Sequence, residues 1–518
     1  LLYQAQGNYN AAEPLYRRAL DIRETALGGT HPHVATSLDN LALLYLYQGN
    51  YSAAEPLLRR SLEIYQTRLG ESHPRVAISL SNLALLYFNQ GNYAAAEPLY
   101  LRSLEIYQTT SGQTHPRNVG TSLLGLAELY RNQGNYRGAE PLYLRSLDIY
   151  ETVLGETHPL VAKSLSGLGS LYHDQGNYDA AESLFLRALD IREIALGESH
   201  PHVGTSLNNL AELYKTQGNY SAAEPLYLRS LDILETSLGE THPDVAISLN
   251  NLASLYHNQG NYSAAESLYL RSFEILETNL GESHPYVASS LSGLASLYHT
   301  QGSYSAAETL YRRVLEIREI TLGESHPDFG SSLRSFASLY RNQGNYSAAE
   351  SLYLRSLEIL ETSLGESHPS VALSLNSLAN LYYSQGDYSA AEPFYLRTLN
   401  IITTHLGESH PNVAVGLNNL ASLYQDQGDI SQSLSFLQRG LDIQETNLAQ
   451  NLAIGSESRK QAYIGTLSGT TSQTVSLHLQ DAPDHPEAAR LALTTVLRRK
   501  GRILDAVTET QQLLRDNL

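Results

Sequence analysis

The turn Gln-Gly-Asn, with Asp or Ser sometimes in place of the asparagine, returns along this chain every 42 residues. Its glycine stands at Gly7, Gly49 and Gly91, then at Gly134, Gly176, Gly218, Gly260, Gly302, Gly344, Gly386 and Gly428. A His-Pro pair keeps the same interval from His31-Pro32 to His410-Pro411. A fixed period of this length restricts the chain to stacked supersecondary units that share one continuous core. A compact fold of 518 residues would divide into several domains, whereas in an array each unit packs only on its neighbours.

Composition removes several functions. The chain has no cysteine, which excludes disulfides, thiolate metal sites and cysteine catalysis within it. No apolar run has the length of a membrane helix, so no membrane partner is expected. A formal charge of -19 opposes nonspecific nucleic-acid binding, which depends on many Lys and Arg contacts to phosphate. The chain contains no methionine and opens at Leu1-Leu2-Tyr3, the tail of a cassette's first helix. It is therefore expected to be a piece of a longer protein.

One cassette, Pro74 to His115, shows the local logic. Pro74 suits the first turn of a helix, where its missing N–H has no partner to lose. Leu80, Leu83, Ala84 and Tyr87 then fall on one helical face, and the helix is expected to end near Gln90. Gly91 makes the turn and Asn92 caps a second helix, whose stripe is Ala96, Leu99, Tyr100, Ser103 and Leu104 and which closes near Gly112. Most of the 36 tyrosines occupy three fixed positions, those of Tyr87, Tyr93 and Tyr100, and read as core layers. The His-Pro histidines lie a whole cassette apart and cannot converge on one ion, so capping is their expected role and no metal or cofactor is expected. Arg18, Arg60, Arg102 and their equivalents precede an acid by three residues, as in Arg102 and Glu105, which predicts weak pairs along one helix.

The run Asn-Leu-Ala-x-Leu-Tyr-x-x-Gln-Gly-Asn-Tyr-x-x-Ala-Glu-Pro-Leu-Tyr-x-Arg-Ser-Leu-Glu-Ile, followed by Leu-Gly-Glu-Ser-His-Pro, resembles the 42-residue tetratricopeptide repeat of kinesin light chains and many bacterial proteins. The resemblance covers roughly residues 1–450, about eleven units with the first truncated and the last degenerate. It implies an all-α fold, a right-handed superhelical solenoid of antiparallel helix pairs, with the first helix of each pair on the concave side. It also implies a cytoplasmic scaffold, not an enzyme, that binds protein or peptide segments in the concave groove.

In such an array the framework repeats and the ligand-facing positions vary. The residue after the Tyr87-type tyrosine is Leu46, Phe88, Arg131, His173, Lys215, His257, His299, Arg341, Tyr383 and Gln425 in successive copies. Six consecutive members are cationic or can become so, which points to an acidic partner and to binding that strengthens below pH about 6.5 as the histidines gain charge. A second register carries Asn40, Asn82, Asn209, Asn251 and Asn419, where the resemblance implies amides holding a peptide backbone. It breaks at Gly125, Gly167, Gly293, Ser335 and Ser377. One interval, Gly91 to Gly134, holds an extra residue near Arg117-Asn118, expected as a surface bulge, and Thr110-Ser111-Gly112-Gln113 replaces the usual Leu-Gly-Glu there.

Residues 451–518 read as a helical connector or cap. One helix is expected over Ser456–Gln480 and another from Asp484-His485-Pro486 through Ala488–Leu514, its Arg498-Arg499-Lys500-Gly501-Arg502 run lying on a solvated face. The stretch from Ala489 to Arg502 resembles the connector that precedes a CHAT domain, a caspase-like peptidase module, in cyanobacterial tetratricopeptide proteins. That resemblance implies a regulatory arm whose peptidase would lie beyond residue 518. No catalytic residue can be assigned within this span.

Overall fold

The computed structural model describes residues 3, 7–109, 116–453 and 467–500. They are helical throughout apart from turns, with no strand among them. In chain order the helices are α1 (Tyr9–Leu27), α2 (Pro32–Tyr47), α3 (Tyr51–Leu69), α4 (Pro74–Asn89), α5 (Tyr93–Thr109), α6 (Pro116–Asn132), α7 (Tyr136–Leu154) and α8 (Pro159–Asp174). There follow α9 (Tyr178–Leu196), α10 (Pro201–Thr216), α11 (Tyr220–Leu238), α12 (Pro243–Asn258), α13 (Tyr262–Leu280), α14 (Pro285–Thr300) and α15 (Tyr304–Leu322). The last are α16 (Pro327–Asn342), α17 (Tyr346–Leu364), α18 (Pro369–Ser384), α19 (Tyr388–Leu406), α20 (Pro411–Asp426), α21 (Ile430–Ala453), α22 (Ser468–Ser476) with a π-helical turn at Leu477–Asp481, and α23 over 486–500. Even numbers up to α20 are the first helices of the cassettes and odd numbers up to α21 the second. The chain forms two compact units, residues 1–212 with 224–366, and residues 213–223 with 367–518.

Each cassette encodes its own helix ends. In the described junctions the histidine is the N-cap of a first helix: its Nδ1 accepts the backbone N–H two residues on, 3.1 Å in His73 to Arg75 and 3.0 Å in His326 to Asp328. The proline then occupies the first helical position. Asn8, Asn50, Asn135, Asn177, Asn261 and Asn345 cap second helices through their side-chain oxygens. The turn glycine needs a left-handed backbone, φ 66° at Gly49, which a side chain would strain. The extra residue near Arg117 makes no bulge: α6 is 17 residues long where α4 is 16, so the helix absorbs it. Residues 110–115 of that irregular junction lie outside the described residues.

Within a pair, buried serines let the helices approach. Ser103 Oγ donates to the Ala77 carbonyl at 2.9 Å and Ser272 to Ala246 at 2.8 Å. The Tyr87-type tyrosines do more than fill the core. In most copies the hydroxyl donates to the glutamate of the preceding second helix, as in Tyr87 to Glu55 (2.9 Å), Tyr298 to Glu266 (2.6 Å) and Tyr424 to Glu392 (2.6 Å). The Ala-Glu-Pro glutamate is thus an inter-cassette clasp. The arginine expectation also needs correction. Arg102 pairs with Glu105 as the spacing predicts, but Arg60, Arg187, Arg271 and Arg313 pair with Glu24, Glu151, Glu235 and Glu277 of the preceding second helix at 2.6–2.8 Å. Stacking sets adjacent second helices side by side, and a long arginine then finds a carboxylate across the gap as easily as along its own helix.

Candidate protein-binding groove

In the first unit successive first helices touch one another, α2 on α4, α4 on α6, α6 on α8, α12 on α14 and α14 on α16, while contacts between successive second helices are weaker. The stack therefore curves toward its first helices, whose outward faces form a concave floor.

The register after the tyrosine lies on this floor, and much of its charge is already compensated. Leu46 is buried and Phe88 packs its ring 5.7 Å from Tyr93. Arg131 donates to Asp174 of the next first helix at 2.8 Å and to Glu128 of its own at 3.0 Å. Burial opposes its charge, yet the two carboxylates raise its pKa overall. His173 lies 3.5 Å from Asp174. His257 Nε2 meets Thr300 at 3.0 Å and His299 Nε2 meets Asn342 at 2.7 Å, each again in the next first helix. Burial lowers the pKa of His257, and burial with the nearby Arg341 lowers that of His299, so neither gains its charge at the ordinary histidine pH. Lys215, on α10, is partly buried. Arg341 makes no ion pair among the described residues and keeps an uncompensated charge.

The asparagines Asn40, Asn82, Asn209, Asn251 and Asn419 are half-buried. At three breaks in their register a tyrosine ring takes the space a side chain would fill. A Cβ at Gly125, Gly167 or Gly293 would lie 2.6, 2.5 or 2.4 Å from the ring of Tyr100, Tyr143 or Tyr269, which leans in from the preceding second helix. A small residue there admits the tyrosine.

One residue of the floor escapes a reading based on these two registers. Arg334 sits one position before the asparagine register, where other copies have Asp39, Ser81, Asn208, Asn250, Ser292 and Asn376. Its Nε is buried without a hydrogen-bond partner, no carboxylate pairs with it among the described residues, and burial lowers its pKa. It lies seven residues before Arg341, two turns along the same face of α16. The one arginine in a column otherwise made of Asp39, Ser81, Leu124, Ser166, Asn208, Asn250, Ser292, Asn376 and Asn418 is the sequence signal that marks it.

In the second unit the same floor is occupied by the chain itself. Asn418 Nδ2 donates to Thr470 Oγ1 of α22 at 2.9 Å, and Gln473 Nε2 donates to Ser422 Oγ at 2.8 Å and to the Asn418 carbonyl at 3.3 Å. Gln425 Nε2 donates to Asp481 at 2.6 Å, Asn419 bonds Asn376 at 3.0 Å, and Tyr383 donates to Asp426. The helix expected over Ser456–Gln480 is α22 plus a π-helical turn, and residues 456–466 lie outside the described residues. α23 packs Ala488 and Leu491 on α21 and on Leu477. The basic run is a solvated face only in part: Arg498 and Lys500 are exposed, whereas Arg499 is 7% exposed, 3.3 Å from Glu445, and donates to Gln444 at 3.0 Å. Gly501, Arg502 and the rest of that expected helix lie outside the described residues. No described helix is long and apolar enough to cross a membrane.

A tetratricopeptide repeat profile matches residues 1–67, 57–109, 118–194, 164–236, 202–278, 244–320 and 328–404, and a second such profile matches 413–450. No curated protein matches the chain. Among solved structures, BtubC (BKLC) from P. vanneervenii is 24% identical over 45% of this chain and 90% of its own, with a TM-score of 0.36. A putative kinesin light chain of Podosopora anserina with nearly identical TPR-like repeats is 26% identical over 40% of this chain and 99% of its own, with a TM-score of 0.33. A Rap protein complexed with Competence and Sporulation Factor is 14% identical over 71% of this chain and 98% of its own, with a TM-score of 0.48. Helix pairs in register, capped by the same residues in copy after copy and matched by the profile over most of their length, make this chain a member of the tetratricopeptide repeat family.

Proposed function

We propose that this chain is a cytoplasmic, non-enzymatic scaffold whose first-helix floor binds an extended protein segment, and that the segment presents a carboxylate to α16. The observation that carries this reading is the pair Arg334 and Arg341. Both guanidinium groups lie on α16 without a carboxylate partner among the described residues, in a protein whose formal charge is -19. Burying an unpaired charge is unfavourable, so an incoming carboxylate at Arg334 recovers an interaction that the free protein lacks. Arg131, with its own two acids, offers far less. The second unit supports the mode of binding: there floor amides and hydroxyls hold a helical segment of polypeptide through side-chain and carbonyl hydrogen bonds.

A second reading makes the same floor the sensor arm of a longer polypeptide carrying a caspase-like module. The resemblance of residues 489–502 supports it, and the full reading frame separates the two.

Selection of displayed random peptides on the whole chain tests the first reading. Selected peptides are enriched in Asp and Glu, and Arg334→Gln with Arg341→Gln weakens them at least about tenfold while flattening the salt dependence. Arg271→Gln, on a second helix, leaves affinity unchanged. Selected peptides that bind the double variant as tightly as the parent overturn the assignment.

A further inference from the structure

The first unit contains a contact between cassettes more than two hundred residues apart. Three turn loops sit in strict register on three later His-Pro junctions. A Cβ at Gly7, Gly49 or Gly91 would lie 2.6, 2.7 or 2.8 Å from Cδ of Pro243, Pro285 or Pro327. The His284 Nε2–H donates to the Tyr47 carbonyl at 3.1 Å, while its Nδ1 accepts the capping N–H of Tyr286 at 3.0 Å. One neutral ring is thus used on both sides. The contact buries His242, His284 and His326 to 8%, 5% and 8% exposure, and α13 touches α1 alongside it. Burial and the facing Asp244, Tyr286 and Asp328 push the Tyr9 and Tyr51 hydroxyls up to about 12.

Every residue of this seam is a cassette residue, so the same surfaces recur where nothing covers them. At Gly302 and Gly344 a Cβ would meet no atom of the described residues within 4 Å, and Tyr346, the counterpart of Tyr93, is 37% exposed. At the other edge His31 and His73 are only half-buried, and His33 and Arg75 occupy the positions held in the seam by Asp244 and Tyr286. A contact that uses two different faces of one repeating unit has no internal reason to stop, and its open faces are complementary across copies.

We propose that these edges join two copies of this chain head to tail, the Gly302 and Gly344 turn loops of one copy seating on His31-Pro32 and His73-Pro74 of another. The spacing fits, because both pairs of sites are separated by 42 residues. His33 and Arg75 then cover Tyr304 and Tyr346, and Arg75 over Tyr346 adds a cation–π contact. The assembly is heterologous and open-ended.

Sedimentation velocity on the whole chain tests this. The average mass is expected to rise without a plateau between roughly 1 and 100 µM, the range in which a small contact becomes populated. Pro32→Glu with Pro74→Glu spoils one edge and keeps a first-turn acid that a helix N-terminus tolerates. Tyr346→Glu with Gly302→Asn spoils the other, asparagine being able to hold the turn's left-handed backbone. Each variant alone stays monomeric, and an equimolar mixture forms a 1:1 dimer that grows no further. Circular dichroism shows that both remain helical. A parent chain that is monomeric throughout the range, or a closed dimer that both variants still form, overturns the proposal.

Discussion

The floors of the two units are built from the same registers and stand in opposite states. In the second unit Asn418, Ser422 and Gln425 hold α22 and its π-helical turn by direct hydrogen bonds. In the first unit Arg131, His257 and His299 bond sideways to the next first helix, Ser81, Glu212 and Ser338 bond second helices, and Arg334 and Arg341 have no carboxylate partner among the described residues. Floor polarity therefore has two uses. Where neighbouring copies carry matching residues, as in Arg131 with Asp174 and His299 with Asn342, it staples cassettes together. Where they do not match, it is left for a segment arriving from outside the stack. Variation from copy to copy is thus not evidence of ligand contact until the pairing between copies is known.

Four measurements probe this contrast, beginning with the largest effect. The first unit's extra seam makes it acid-sensitive. The ordinary histidine pKa is 6.5 and burial holds His284 down to about 4, so the closed seam favours the neutral ring. Its contribution is fully present above pH 6.5 and falls as pH drops toward 4, amounting to about 3 kcal/mol at the limit. Hydrogen exchange at residues 47–51 and 284–288 is expected to accelerate on acidification, and His284→Gln, which keeps a donor without titrating, is expected to flatten that response. His410, buried in the second unit and also held at about 4, supplies an internal comparison for acid loosening.

Next comes Arg334. If its unpaired charge is retained for binding, Arg334→Met stabilises the free chain by about 1–3 kcal/mol while abolishing peptide binding. A thermal melt and a binding titration on the same variant check both halves. Loss of stability would mean that the guanidinium is structural, and the contrast between the two floors would fail there.

Asp39 gives an effect of similar size with opposite pH dependence to the seam. Burial raises its carboxyl to about 6, against hydrogen bonds from Ser61 and Ser79 that favour the charge. A raised folded pKa means the protonated form is preferred, so the group contributes stability below its ordinary pKa of 3.8 and loses it as pH rises through 6. Asp39→Asn, the residue that Asn208 and Asn250 already provide in this register, is expected to stabilise by about 1–3 kcal/mol at pH 7.5. Chemical denaturation at pH 7.5 and pH 4.5 should show the gain largely vanish at the lower value.

The smallest effect sharpens the second unit's side of the comparison. Gln473→Ala removes the bonds to Ser422 and to the Asn418 carbonyl, at a cost of about 1–2 kcal/mol confined to α22. Faster hydrogen exchange in residues 468–481, with unchanged protection in α20, is the expected signature. Equal loosening of α20 would show that α22 is part of the stack's core and not a segment held on its floor.

The sequence by itself determined the cassette: two helices, their caps, their turn and the buried stripe of each. These depend on neighbours three or four residues away, and local contacts are written in local spacing. The expected helix ends near Gln90 and Asn92 agree with α4 and α5 to within a residue for that reason. Tertiary structure decided which partner each long polar side chain chose. Arg271 has carboxylates on its own helix and across the stack, and only the distance between adjacent second helices selects Glu235. The same holds for Arg131, whose acids come partly from the next cassette, and for Arg334, which is conspicuous only because no acid arrives. The seam between Gly49 and Pro285 lies furthest from sequence reasoning. Its residues are ordinary framework residues, and what joins them is the accumulated rotation of several stacked pairs, a quantity that no single cassette contains.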